Sequence, residues 1–287
     1  MTLFMATLLN GLSLAALYFI VASGFTLIFG LMRIVNLAHG ALYLLGGYVG
    51  FEVQRATGSW YGAVVAGFAA IAAVGLVLQL AVFRHMEGQE LRQTLVSLAL
   101  SIIAADLMLW VWGGDTYQIT TPDYLFGAFP VGLPGLPMYP TMRLVTILVA
   151  VVVGIALWLF LTRTRLGMII RAGVDDRDMV QASGINVHAV FAVTFAIGAG
   201  LAGLAGVIGG SVLSIAPGED LRFLLISLIV VIVGGMGSVA GSALGALLIG
   251  LAEQFGLAYT PTYGVVYTFL ILVAVLALRP QGLLGRA

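Results

Sequence analysis

Six long stretches without a formally charged side chain, residues 1–32, 56–83, 144–162, 179–218, 223–252 and 254–278, limit this chain more than any motif does. A helix needs about 20 apolar residues to cross the hydrocarbon layer. In lipid only helices and closed barrels satisfy their own backbone polar groups. Apolar residues make up 61% of the chain and charged ones 8%, where a soluble domain has roughly a quarter charged. The reading is all-α: a polytopic membrane helix bundle of about nine spans, within bounds of about eight to ten, with short broken helices. Residues 1–287 form a single transmembrane domain. Leu3–Gly30 lacks a basic leader and a small-residue cleavage site, so it reads as a retained first span and not a signal peptide.

Absent residues narrow the function. Net charge is zero, which offers nothing to nucleic acid, and cysteine is missing, which removes disulfides and thiolate metal sites. Lysine is missing too, so the phosphate-binding G-x-x-x-x-G-K-[ST] loop cannot be built and ATP chemistry would have to come from a partner. A literal G-x-G-x-x-G at Gly198, Gly200 and Gly203 lies in an uncharged run among other spans. A dinucleotide fingerprint needs a soluble strand, turn and helix, so these glycines read as small residues four apart that let membrane helices approach closely.

Three stretches interrupt the apolar pattern. After Arg33, Ile34–Phe51 carries Asn36 and His39, three apart and hence on one helical face, followed by Gly40, Gly46, Gly47 and Gly50. Polar side chains inside a span glue helices together or line a path. Gly113–Met142 holds five of the eight prolines and reads as an external loop. Residues 222–256 break at Gly234, Gly235, Gly237, Ser238 and Gly241 into two short helices, about Arg222–Val233 and Ser242–Phe255. That break is either an ordinary hairpin turn or unwound backbone lining a path. Pro217–Asp220 reads as a turn with two acids at the next helix start. Asp106 is an acid inside an apolar run, a costly position unless it faces protein or water.

The charged island is Arg163–His188, with four of the twelve arginines and three of the twelve acids. Asp175, Asp176 and Asp178 suit a helix start, Met179 and Ala182 share a face, and Gly184 offers a left-handed stop. It reads either as a solvated connector or as a docking knob. With nine spans and the N-terminus outside, nine arginines fall inside and three, Arg55, Arg143 and Arg222, outside. That balance follows the positive-inside rule and makes the island cytoplasmic.

GLMRIVNLAHGALYLLGGYVG (30–50), RTRLGMIIRAGVDDRDMVQASGINV (163–187), VIVGGMGSVAGSALGALLIG (231–250) and RPQGLLG (279–285) resemble, in the same order, stretches of the branched-chain amino acid ABC transporter permeases of the high-affinity leucine, isoleucine and valine type. The resemblance implies a non-enzymatic permease subunit of an ATP-driven importer in the cytoplasmic (inner) membrane. It implies four kinds of partner: membrane lipid, a second related permease, two ATPase subunits at the cytoplasmic loop, and an external substrate-binding protein. It assigns Arg171, Ala172, Ala182, Gly184 and Ile185 to ATPase coupling, on a moving helix from about Asp175. The translocation path is expected at Asn36, His39, Gly40, Gly235, Gly237, Ser238 and Gly241. No strong charged pair for an amino acid's two charges is visible, and no cofactor or metal is expected. Related permeases for urea or short amides keep the substrate open. A secondary transporter using Asp106 is the alternative outside the family; an enzyme would need a clustered His, Cys or acid set that is missing.

Overall fold

A computed structural model describes residues 2–32, 35–133, 136–175 and 177–285. Among the described residues eleven α-helices follow one another: α1 (Thr2–Met32), α2 (His39–Thr57), α3 (Trp60–Ala81), α4 (Glu90–Trp112), α5 (Thr141–Arg163), α6 (Arg165–Asp175), α7 (Arg177–Ala182), α8 (Val187–Val212), α9 (Glu219–Gly234), α10 (Val239–Tyr259) and α11 (Gly264–Leu278). By length and composition α1, α3, α4, α5, α8 and α10 can each cross a membrane. The remaining long helices are atypical. α9 and α11 have 16 and 15 residues, and α2 carries Glu52 and Arg55 in its last turns.

The bundle is organised around two helices. The apolar window of α1 is 89% buried and that of α8 is 78% buried, against 11% for α4. Glycine explains why α8 can sit at the centre. A Cβ on Gly203 would collide with Gly67 and Ile71 of α3, and one on Gly206 with the Tyr43 backbone of α2. The small-residue face read from the sequence therefore brings three helices to backbone contact, where dispersion and weak Cα–H···O contacts replace the side-chain interlock of a soluble core.

Side-chain contacts sort the connections into two ends. At one, Trp112 donates to Glu52 at 3.0 Å, Tyr124 donates to Tyr61 at 2.6 Å, and Tyr139 donates to Asn10 at 2.9 Å. At the other, His188 pairs with Glu87 at 2.9 Å, and Gly30 abuts Gly237. The proline-rich segment is more ordered than a loop: Ala128–Leu133 (β1) and Leu136–Pro140 (β2) pair as an antiparallel hairpin. Tyr139 anchors this hairpin on α1; its burial pushes the phenol above its ordinary value, and the nearby Arg143 opposes the shift.

The helix-start reading of the island needs correction. Asp175 closes α6, and only Asp178 falls in the first turn of α7; Asp176 lies outside the described residues. The amphipathic run from Arg165 keeps the backbone helical as far as Asp175, the residue where the acids suggested a beginning.

Valine at Gly203 is expected to lower the unfolding midpoint of the purified protein in detergent by about 5 °C or more, the effect of a few kcal/mol of overpacking. Gly114→Val, where a Cβ meets nothing within 4 Å, is the control and should leave the midpoint unchanged.

Candidate functional site

Between α1 and α2 the backbone leaves the helix while still inside the bundle. Leu37 N donates to Ser97 Oγ at 2.9 Å, and Ser97 sits about 10 Å along α4 from Glu90 at 1.5 Å per residue. His39 Nε2 donates at 3.0 Å to the Val21 carbonyl, more than two turns short of the end of α1. A carbonyl only accepts, so the imidazole proton is on Nε2 and Nδ1 is left buried without a partner among the described residues. Asn36 is buried too; its Oδ1 accepts from Ala38 N at 3.1 Å, and its Nδ2 has no partner among the described residues. Asn36 and His39 therefore do not share a helical face. Asn36 belongs to the turn that starts α2, because its side chain closes a local Asx-type ring that competes with helix.

The start of α2 meets the start of α9. A Cβ on Gly40 would collide with the Asp220 carbonyl, so only glycine permits this approach. Tyr43 stacks on Phe223 with ring centroids 3.9 Å apart, and Phe25 meets the His39 ring edge-on at 5.3 Å. Beside this contact lies a charged cluster. Arg222 reaches Glu219 at 3.3 Å and Glu253 of α10 at 3.4 Å, and Tyr18 donates to Glu253 at 2.6 Å. Tyr18 is midway along α1, which puts the cluster well below either end of the bundle.

Sequence reasoning missed this cluster. Arg222 reads as an outside arginine and Glu219 as a turn acid. Glu253 carried a usable signal: it stands alone between the uncharged runs 223–252 and 254–278, and the cost of a buried acid applies to it as it does to Asp106. A separate cavity of about 510 Å3 between α10 and α11 is walled by residues such as Phe255, Tyr259, Leu270 and Ile271 and has no charged wall.

A family described as branched-chain amino acid transport system / permease component matches residues 7–276. The chain belongs to this family. It is 31% identical over 297 residues to the high-affinity branched-chain amino acid transport system permease protein BraD of Pseudomonas aeruginosa, covering 99% of this chain and 96% of BraD. LivH of Escherichia coli, a permease protein of the same description, is 30% identical over 299 residues, with 99% and 96% covered. The ribose import permease protein RbsC of Escherichia coli is 30% identical over 256 residues, covering 86% of this chain and 76% of RbsC. This permease is a multi-pass protein of the cytoplasmic membrane.

The permease does not bring its remaining sequence-expected path residues to the α2 start. Gly235 and Gly237, at φ +105° and +80°, form the hairpin turn between α9 and α10. Ser238 caps α10 by accepting from Gly241 N at 3.0 Å. The carboxy-terminal segment clamps this turn, with Leu283 N and Leu284 N donating to the Val233 and Gly234 carbonyls at 2.9 Å. Leu224, beside Gly40, is roughly 16 Å along α9 from Gly235 at 1.5 Å per residue.

In the island, Ile170 and Val180 are buried and hold α6 and α7 to the bundle. Arg171, Ala172, Ala182 and Gly184 are exposed, Ile185 is half-buried, and Gly184 takes φ +78° as a left-handed stop. Asp106 is exposed on α4 and makes no hydrogen bond or ion pair with a described residue.

Removing the Ser97 hydroxyl with Ser97→Ala is expected to cost about 1–3 kcal/mol, because Leu37 N–H is left unpaired inside the bundle. Ser97→Thr should retain most of that stability. Equilibrium unfolding in mixed micelles measures both.

Proposed function

We propose that this chain is one permease subunit of an ATP-driven importer of branched-chain or related amino acids. The observation that carries the reading is the family match over residues 7–276, with BraD and LivH aligned along nearly the whole chain. Such a permease works with an ATPase and a substrate-binding protein. In finer detail, a second related permease completes the pathway, two ATPase subunits dock at the island, and the binding protein approaches the hairpin end. The arginine-rich end then faces the cytoplasm, in keeping with the positive-inside rule.

Coupling runs through α6 and α7. Their exposed surface, Arg171, Ala172, Ala182 and Gly184, with Ile185 at its edge, meets the ATPase. α6 packs against α1, α5 and α8. A push on the island therefore reaches the two central helices and, through α1, the Val21–His39 contact. Alternating access needs two states that both ATP and substrate bias. The interrupted backbone at 35–38 supplies a place where α2 can rotate without breaking a continuous helix ladder.

The likeness to RbsC, a ribose permease by name, supports adding sugars to urea and short amides as alternative cargo to be tested. The ion-coupled alternative is weakened by the position of Asp106 on the outer face of α4, away from the polar groups of α2 and α9. The deciding experiment is ATPase activity of the assembled importer in lipid, with binding proteins loaded with leucine, valine, urea or ribose. Stimulation by leucine or valine supports the amino acid reading, and stimulation only by ribose or urea replaces it. Within that assay Gly184→Leu, which forces a side chain into left-handed backbone, should cut uptake about tenfold or more while the permease stays in the membrane. Normal uptake by this variant would remove the island from the coupling route.

A further inference from the structure

We infer that Arg222, Glu219 and Glu253 form a station that takes the carboxylate and ammonium groups of the amino acid in transit. The inference rests on the importer reading above and adds the site where the cargo's charges are held. The cluster lies at the level of Tyr18, the midpoint of α1. A charge at that depth faces protein or water and not lipid. Yet the Arg222 side chain is 44% exposed and Glu219 25%, while Glu253 is 10% exposed. The exposed side of the cluster is therefore open to an aqueous path or to the second permease that borders one.

The geometry suits a zwitterion. Arg222 touches each acid through a single guanidinium nitrogen, at 3.3 and 3.4 Å, where a settled charge-assisted bond is about 2.7–2.9 Å. Both terminal nitrogens are engaged, but at long distance, so a substrate carboxylate can draw the guanidinium fork from the two acids into bidentate capture. Two acids share one arginine, so a cation is welcome beside Glu219, and an α-ammonium supplies it. The adjoining start of α2, with Gly40 against Asp220, adds the positive end of a helix dipole for the carboxylate. Leu221 and Leu225, exposed on the same stretch of α9, offer apolar surface to an aliphatic side chain. Phe223 lies 5.8 Å from the guanidinium and, stacked on Tyr43, steadies the arginine from behind.

The test uses the assembled importer in liposomes, with its binding protein and radiolabelled leucine, reading uptake and ATP hydrolysis together. Arg222→Lys keeps the charge and loses the fork; Glu219→Gln keeps the shape and loses the charge. Both positions are partly exposed, so they remain informative if Glu253→Gln fails to assemble. The expected result is a fall of about fivefold or more in leucine moved per ATP, with assembly and binding-protein-stimulated ATPase retained. Wild-type leucine transport per ATP in both variants overturns the inference and leaves the importer reading standing. A parallel fall in uptake, ATPase and melting temperature also overturns it, because that is the behaviour of a structural bridge between α9 and α10. If the wild-type complex imports neither leucine nor valine, the importer reading fails first and the station with it.

Discussion

Every backbone N–H and C=O within the hydrocarbon layer must find a partner inside the protein, and the rest of this structure depends on how that requirement is met. Helices meet it alone. Where the helix stops, at Val35–Ala38, side chains take over: Ser97 Oγ receives the Leu37 N–H and Asn36 Oδ1 that of Ala38. The turn can exist at depth only because α4 presents a hydroxyl there. His39 then ties the new helix to the Val21 carbonyl. The same constraint acts at the α9–α10 turn, whose carbonyls are capped by the carboxy-terminal residues Leu283 and Leu284.

Close packing follows from the same economy of side chains. Glycines at 46, 67, 203 and 206 bring α2, α3 and α8 to backbone contact, and Gly40 lets the starts of α2 and α9 touch. Two helix starts meeting below the surface concentrate positive dipole ends in one place. Acids of α9 and α10 and the arginine between them gather beside it. The charged cluster is thus a consequence of where the helices begin. The island stands apart: Ile170 and Val180 pin it to the bundle, and its exposed face points away from it.

Much of the fold was legible residue by residue. The uncharged runs 56–83 and 144–162 match α3 (Trp60–Ala81) and α5 (Thr141–Arg163) to within a few positions. The left-handed stop at Gly184 was readable because few residues other than glycine tolerate it. Other features were not legible. Asn36 and His39 looked like one helical face because spacing alone cannot say where a helix starts, and Asn36 uses its side chain to delay that start. The proline-rich stretch looked like a loop because its hairpin is a pairing between two short segments, neither of which declares itself.

By itself the sequence determined the class of molecule, the approximate helices, the arginine asymmetry between the two ends and membership of a permease family. These depend on local composition and on order along the chain, and the hydrophobic cost of leaving lipid reads both directly. Only the tertiary structure decided that α2 and α9 begin below the surface against one another. It alone decided that Arg222, Glu219, Glu253 and Tyr18 form one cluster, although 235 positions separate Tyr18 from Glu253. The physical reason is that helix depth and register are set by contacts between distant glycines and by capping groups on other helices. No periodicity within a single helix records where its partner will stand.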